Sequence, residues 1–461
     1  MHSKLIAALG ATWFTASAIA QTKVTINANT QYQVIDGFGF SEAFGFGAGV
    51  ANAPTSQQNQ ALNYMFSTTE GAGMTILRNR IAADPSDTIE PNNPGGPNDT
   101  PTYRGLNGDS SQVFWSQKAR AMGVKYIYAD AWSAPGFMKT TGSYVSDENG
   151  GYLCGEPGET CSSGDWRQAY ANYLVQYIKD YAALGITVDF VGFLNEPEYA
   201  ATYDAMLSDG TKAASFIPIL HNAISAAGLS TGITCCDAEG WNDQVEYTQQ
   251  LIAAGADKYL ARITSHWYLN KATSPMNTNL RVWETEYADL DDNFSTTWYS
   301  SGAMNEGFTW AKLIYQGIVE ANLSAFLHWI GAQANSNAAA LVTLTGSGSS
   351  TQVTASASLW AFALWSRYIR PDAVRIATSG APANTQVGAF KNTDGSIAVV
   401  MLNSGSGSES VSVGGVSASS AQAYFMDNSV SSPGTIAVTL SNGNAAVTLP
   451  GNSMVTLVLS S

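Results

Sequence analysis

Histidine is scarce in this chain: only four occur in 461 residues, and none forms an H-E-x-x-H pair. A histidine-ligated metal hydrolase therefore has no ligand set to build on, and no metal or other cofactor is expected. Positive charge is also thin, with 21 Lys and Arg against 36 Asp and Glu and a net charge of −15. Without a dense basic cluster, nucleic acid is excluded as a partner, because phosphates require a basic stripe. No G-x-G-x-x-G fingerprint for a dinucleotide is present. Beyond the first twenty residues, no apolar run is long enough to span a bilayer, so no membrane partner is expected. Cysteine is limited to four residues, and neither an internal repeat nor a proline-threonine linker is evident.

What the chain has in quantity is neutral polarity and aromatic surface: 43 glycines, 12 tryptophans and 21 tyrosines, with only 12% charged residues. Sugars bind to surfaces of this kind by ring stacking and hydrogen bonding. Residues 1–20 read as a secretory signal. Lys4 is followed by an apolar stretch from Leu5 to Phe14, and Ala18-Ile-Ala20 supplies a small-residue cleavage site. The expectation is a soluble, extracellular, monomeric protein, in which acidity serves solubility.

Secretion makes disulfides plausible. Cys154 and Cys161 flank the turn-rich Gly155-Glu-Pro-Gly158 and are expected to pair, whereas the adjacent Cys235 and Cys236 fit either a vicinal disulfide or two buried thiols. Asn98, Asn293 and Asn322 open N-x-S/T sequons, the first followed by Pro101.

Between residues 32 and 372, short apolar runs alternate with helical stretches. Strands are expected at Val34 to Phe38, Met74 to Ile81, Tyr126 to Trp132, Asp189 to Leu194, Gly232 to Cys236, Ile263 to Trp267, Leu280 to Thr285 and Ala325 to Ile330. Helices are expected over Trp166 to Tyr181, where Tyr170, Tyr173, Leu174, Tyr177 and Ile178 recur at helical spacing, and over Ser358 to Ile369. Eight such alternations predict an α/β fold, a (β/α)8 TIM barrel. After Pro371 the pattern becomes apolar-polar alternation between Gly, Ser and Asn turns, which predicts an all-β sandwich domain over 373–461. Val24 to Asn27, within residues 21–31, is expected to add a strand to it, so that the barrel is tied to the side domain at both ends.

Two of the predicted barrel strands end in glutamates: Val191-Gly-Phe-Leu-Asn195-Glu196-Pro197 and Val282-Trp-Glu-Thr-Glu286-Tyr287. The C-terminal strand ends of a TIM barrel converge on one face, so carboxylates on the fourth and seventh strands face each other across its mouth. Hydrolysis of a glycosidic bond with retention needs such a pair, roughly 5 to 5.5 Å apart. Glu196 suits the acid/base and Glu286 the nucleophile; Glu284 shares a strand face with Glu286 but lies deeper. Asn195 is placed to bond a sugar 2-hydroxyl and Arg78 to stabilise the ionised nucleophile. Tyr268 offers the nucleophile a hydroxyl, and His266 stands beside it. Trp132 and Trp329 are candidate sugar platforms.

At these residues the chain resembles glycoside hydrolase family 30. The resemblance rests on Asp36-Gly-Phe-Gly-Phe40, Leu77-Arg78-Asn-Arg80-Ile81, Ala131-Trp-Ser-Ala-Pro-Gly-Phe-Met-Lys139, Leu194-Asn-Glu-Pro197, Trp283-Glu-Thr-Glu286 and Tyr368-Ile-Arg-Pro371. It is nearest the secreted fungal xylanases of the family, of the subfamily 7 type. It implies a retaining enzyme acting on xylan or glucuronoxylan, with Glu196 as acid/base, Glu286 as nucleophile, and Asn195, Arg78, Trp132 and Tyr268 around the scissile bond. In the first loop, Ser41-Glu-Ala-Phe-Gly-Phe-Gly47, Phe46 stands where no Arg or Lys is available for a glucuronate branch. A backbone-cutting β-1,4-xylanase is therefore expected. Alternatives are a glucuronoxylan-specific xylanase or xylobiohydrolase, a β-1,6-glucanase or glucosylceramidase-like hydrolase, and a non-catalytic carbohydrate-binding protein.

Overall fold

The structure is a computed structural model that describes residues 21–147, 150–291, 293–334 and 340–460. The first strand, β1 (Thr22–Val34), precedes eight parallel strands: β2 (Gly37–Ser41), β3 (Ile76–Ile81), β4 (Tyr126–Ala131), β5 (Phe190–Gly192), β6 (Gly232–Ala238), β7 (Leu260–His266), β8 (Arg281–Glu286) and β9 (Ala325–His328). They pair in sequence order, and β2 closes on β9 through Gly37 opposite Ala325. The predicted TIM barrel is thus present. Its first strand is displaced from the expected Val34 to Phe38, because Val34 pairs with Val374 and belongs to β1.

Period-two geometry explains how such strands carry charge. In β3 all six residues are buried. Ile76, Arg78 and Arg80 share one face and Leu77, Asn79 and Ile81 the other. Asn79 Nδ2 donates to Ser116 Oγ at 2.9 Å on a surrounding helix, so the even-numbered residues face the barrel axis. At the base of that axis Ile76, Tyr128, Phe190, Trp283, Ala325 and Leu327 form an apolar plug. The upper part of the interior is left to polar groups.

The helices are the one-turn α1 (Ala48–Ala51), α2 (Thr55–Phe66), α3 (Gln112–Ala121), α4 (Arg167–Ala183), α5 (Gly210–Ala226), α6 (Trp241–Ala253), α7 (Gly307–Tyr315) and α8 (Ala357–Ser366). The expected eightfold alternation is broken at one place: residues 267–280, between β7 and β8, contain no helix. Asn270, Thr273, Ser274, Pro275 and Asn277 favour turns there. Helix α4 buries Tyr170, Tyr173, Leu174, Tyr177 and Ile178, the stripe expected from spacing. Helix α8 ends at Ser366, before the expected Ile369. Among the described residues no helix is long and apolar enough to cross a membrane.

A short sheet, β10 (Ala332–Ala334), β11 (Val342–Thr345) and β12 (Gln352–Ala355), lies between β9 and α8. The C-terminal strands are β13 (Val374–Ser379), β14 (Thr385–Lys391), β15 (Ile397–Asn403), β16 (Glu409–Gly414), β17 (Ser420–Met426), β18 (Gly434–Ile436), β19 (Val438–Ser441), β20 (Asn444–Leu449) and β21 (Ser453–Ser460). With β1 they form a sheet in the order β18-β17-β21-β15-β14-β13-β1-β16-β20-β19. It folds over a single core in which Val24 and Ile26 of β1 join Val399, Val413, Val447 and Leu457. Strand β1, held between β13 and β16, returns the N-terminal segment to the side domain.

Both cysteine pairs are oxidised. Cys154–Cys161 closes the predicted loop and Cys235–Cys236 is a vicinal disulfide within β6, which settles the open alternative.

Candidate active site

The site is built around one buried cation. Arg78 is fully buried and donates to Asp130 Oδ2 at 2.8 Å, to Asn195 Oδ1 at 2.6 Å and to Glu286 Oε2. Trp132 covers its guanidinium at 4.4 Å. Burial opposes the Arg78 charge, but Glu286, Asp130 and Asp237 outweigh it and hold the group well above its ordinary value. The local sequence permits this closeness: a Cβ at Gly192 would lie 2.0 Å from Asp130 Oδ1, so only glycine leaves room for that carboxylate.

Glu286, the last residue of β8, accepts from Arg78 on one oxygen and from the Tyr268 hydroxyl on the other at 3.0 Å. Burial, joined by the charge of Glu196, leaves its carboxyl above the ordinary range, although His266 and Arg78 pull it down. Tyr268 is itself raised well above its ordinary range by burial and by Glu286, which keeps its proton on the phenol as a donor. Glu284 is excluded from the mouth: it is fully buried and accepts from the Leu327 N–H at 3.2 Å.

Glu196 lies just beyond β5 with a left-handed backbone (φ 48°), its N–H held by the Asp237 carbonyl at 2.8 Å. The Tyr203 hydroxyl reaches its Oε2 at 3.2 Å, and His266 Nδ1 lies 3.0 Å from its Oε1. His266 Nε2 faces Asp237 at 3.4 Å and Glu286 at 3.9 Å. Burial works against an imidazolium there, yet Glu286, Asp237 and Glu196 raise His266 well above its ordinary value. A second buried cation therefore sits between the two candidate carboxylates.

Asp237, which the sequence reading passed over, anchors both cations. It accepts hydroxyls from Tyr128 at 2.6 Å, Thr264 at 2.5 Å and Thr285 at 2.6 Å. Burial raises its carboxyl, but His266, Arg78 and Thr264 hold it below the usual range. A signal was available, because Asp237 closes an apolar strand run as the two glutamates do.

The carboxylate oxygens of Glu196 and Glu286 and a ring nitrogen of His266 all lie within 4.8 Å of one another. As a metal site this trio does not fit. Both imidazole nitrogens already face carboxylates, Glu196 on one side and Asp237 on the other, and Arg78 already occupies Glu286. As a pair of carboxyls, the separation matches retaining glycoside hydrolysis, near 5 Å, and not the wider spacing of inverting sites, about 6.5 Å or more.

Above the pair opens a cavity of about 570 Å³, lined by Phe44, Phe46, Trp132, Glu196, Tyr199, Tyr203, Glu239, Tyr268, Glu286, Leu290 and Trp329. Phe46, Trp132, Tyr268 and Trp329 thus sit on the wall, while Asn195, Arg78 and His266 stand behind it, supporting the carboxylates. Phe44, Tyr199, Tyr203, Glu239 and Leu290 were not anticipated. Phe44 makes edge contacts with Phe46, Trp132, Tyr203 and Trp329 at 5.7 to 6.3 Å between ring centroids. Its neighbourhood is set by a left-handed backbone (φ 54°), which loop composition does not reveal.

A solved structure described as the catalytic domain of GH30 xylanase C from Talaromyces cellulolyticus is 66% identical, covers 95% of this chain and 100% of that one, and superposes with a TM-score of 0.92. The chain belongs to glycoside hydrolase family 30. The model of the glycosyl hydrolase family 30 beta sandwich domain matches residues 372–457. The barrel region, residues 35–363, matches a model described as glycosyl hydrolase family 59. We place the chain in family 30 because both the side-domain model and the 66% identical structure name it. More distant relatives are the endo-1,6-beta-D-glucanase BGN16.3 of Trichoderma harzianum, 29% identical over 57% of this chain and 55% of that one, and the endo-1,6-beta-D-glucanase neg1 of Aspergillus fumigatus, 32% identical over 49% of each. The chain spans about half the length of these two curated relatives.

Proposed function

We propose that this family 30 protein is an extracellular retaining glycoside hydrolase that cuts β-1,4-xylosidic bonds within the xylan backbone. The observation that carries the reaction class is the approach of the Glu196 and Glu286 carboxylates to within 4.8 Å across the barrel mouth. In the first step Glu286 Oε attacks the anomeric carbon while Glu196 gives its proton to the leaving oxygen, forming a glycosyl ester on Glu286. In the second, Glu196 takes a proton from water, whose oxygen displaces Glu286 from the anomeric carbon. Esterification removes the Glu286 charge, which lets Glu196 ionise for the return step. Arg78 and Tyr268 hold the nucleophile, and His266 touches Glu196 throughout.

The choice of xylan is supported by the identity to the Talaromyces xylanase. Independence of glucuronate branches is supported by the cavity wall, whose residues include three glutamates and no Arg, Lys or His among the described residues. The disulfides suit an oxidising, extracellular setting. The test is product release from plain xylan, glucuronoxylan and β-1,6-glucan, with proton NMR of the first-formed anomer. Release of β-configured xylo-oligosaccharides from plain xylan is expected. Preferential cleavage of β-1,6-glucan would overturn the substrate, and α-anomer release would overturn the mechanism.

A further inference from the structure

Next to the catalytic groove lies a second cavity, of about 440 Å³, bounded by residues of the loop after β3 and of the loop after β5. Phe44 and Tyr203 line both cavities and form the partition between them, with ring centroids 6.0 Å apart. The partition is braced from each side. The Arg80 guanidinium lies 4.1 Å from the centroid of the Phe44 ring, and the Tyr203 hydroxyl bonds Glu196.

The charge in this side cavity is one-sided. Its one cation among the described residues, Arg80, is only 5% exposed and is already clamped by Asp87 at 2.6 Å and Asp204 at 2.9 Å. Asp84 joins these two carboxylates on the wall, half-buried and fixed by the Ser86 N–H and hydroxyl at 2.7 and 2.6 Å. Tyr144 adds a further aromatic ring, and its hydroxyl bonds Asp84. Fixed carboxylates beside aromatic rings are what a neutral sugar needs: its hydroxyls donate to the anions and its C–H face covers the ring. A uronate brings a like charge to three carboxylates with no unpaired cation to meet it.

We propose that this cavity is a side subsite that accepts a neutral sugar substituent of the glycan and turns away a uronate, with Asp84 as its principal acceptor. The identity of the backbone rests on the xylan reading above; the cavity and its charge do not.

The experiment uses the full chain carrying Glu286→Gln, so that ligands bind without turnover. It is titrated by calorimetry with a linear xylo-oligosaccharide and with the same backbone carrying one arabinofuranosyl or one glucuronosyl branch. The arabinofuranosyl ligand is expected to bind about tenfold tighter than the linear one, as one or two charge-assisted hydrogen bonds allow. The glucuronosyl ligand should bind no tighter than the linear one. Adding Asp84→Ala should erase the tenfold gain and leave linear binding within about twofold, and Asp84→Lys should shift the preference toward the glucuronosyl ligand. Equal binding of branched and linear ligands, or a gain that survives Asp84→Ala, overturns the subsite. If no xylo-oligosaccharide binds, the xylan reading is what fails. The same comparison with linear and neutrally branched β-1,6-gluco-oligosaccharides then decides the cavity by the same criterion.

Discussion

His266 Nδ1 stands 3.0 Å from Oε1 of Glu196, and the opposite nitrogen of the same ring is 3.9 Å from Oε2 of Glu286. One buried imidazolium thus touches both carboxylates of the proposed reaction. The ring pulls the Glu286 carboxyl down against the burial that pushes it up.

Replacing His266 by Gln removes that cation and keeps a hydrogen-bonding side chain. Glu286 should become harder to ionise, so the acid limb of kcat/KM against pH should move upward by about one pH unit, with a lower maximum. An acid limb that stays in place or moves downward in that profile would show that the ring carries no charge.

Tyr268 donates to Glu286 at 3.0 Å, and Tyr268→Phe removes only the hydroxyl. The orphaned carboxylate oxygen should cost about tenfold to a hundredfold in kcat, with KM little changed. Steady-state kinetics on xylan separates this from loss of binding, which would raise KM instead.

Asp237→Asn should act on stability as well as on rate. The residue is fully buried and compensates Arg78 and His266 while accepting three hydroxyls. Removing this shared carboxylate charge should cost about 3 to 5 kcal/mol in denaturant unfolding. A loss below about 1 kcal/mol would place the compensation elsewhere, on Asp130 and Glu286 for Arg78.

Stability should fall as the pH rises from about 5 to 7. Burial raises Asp109 to about 6, Glu90 and Glu198 to about 7, and Glu156 to about 8. Each binds its proton more tightly folded than unfolded, so the folded state holds more protons across this window and raising the pH favours unfolding. His266, raised in the fold, contributes stability that is complete below its unfolded value near 6.5 and is lost as pH climbs through its folded value. Tm measured between pH 5 and 7 should therefore decline steadily; a rise would contradict the burial of these groups.

The motifs on strand ends disclosed Glu196 and Glu286, because alternation and strand length specify which side chain reaches the mouth of a barrel. The same reading pointed to Tyr268 and Arg78 as partners of Glu286, and both donate hydrogen bonds to it. Asp237 and Tyr203 escaped notice for a different reason. Their importance lies in what they meet in space, Arg78, His266 and Glu196, which neither the strand run closed by Asp237 nor the loop carrying Tyr203 shows.

Local pattern by itself determined the barrel, the β-rich side domain and the identity of the two glutamates, since periodicity and strand-end position are properties of neighbouring residues. Only the tertiary structure decided the separation of those carboxylates, the imidazolium shared between them and the Phe44–Tyr203 partition. Each depends on groups far apart in the chain whose distances are set by barrel closure, and it is the opposite charges brought together there that hold His266 and Arg78 charged against the cost of burial.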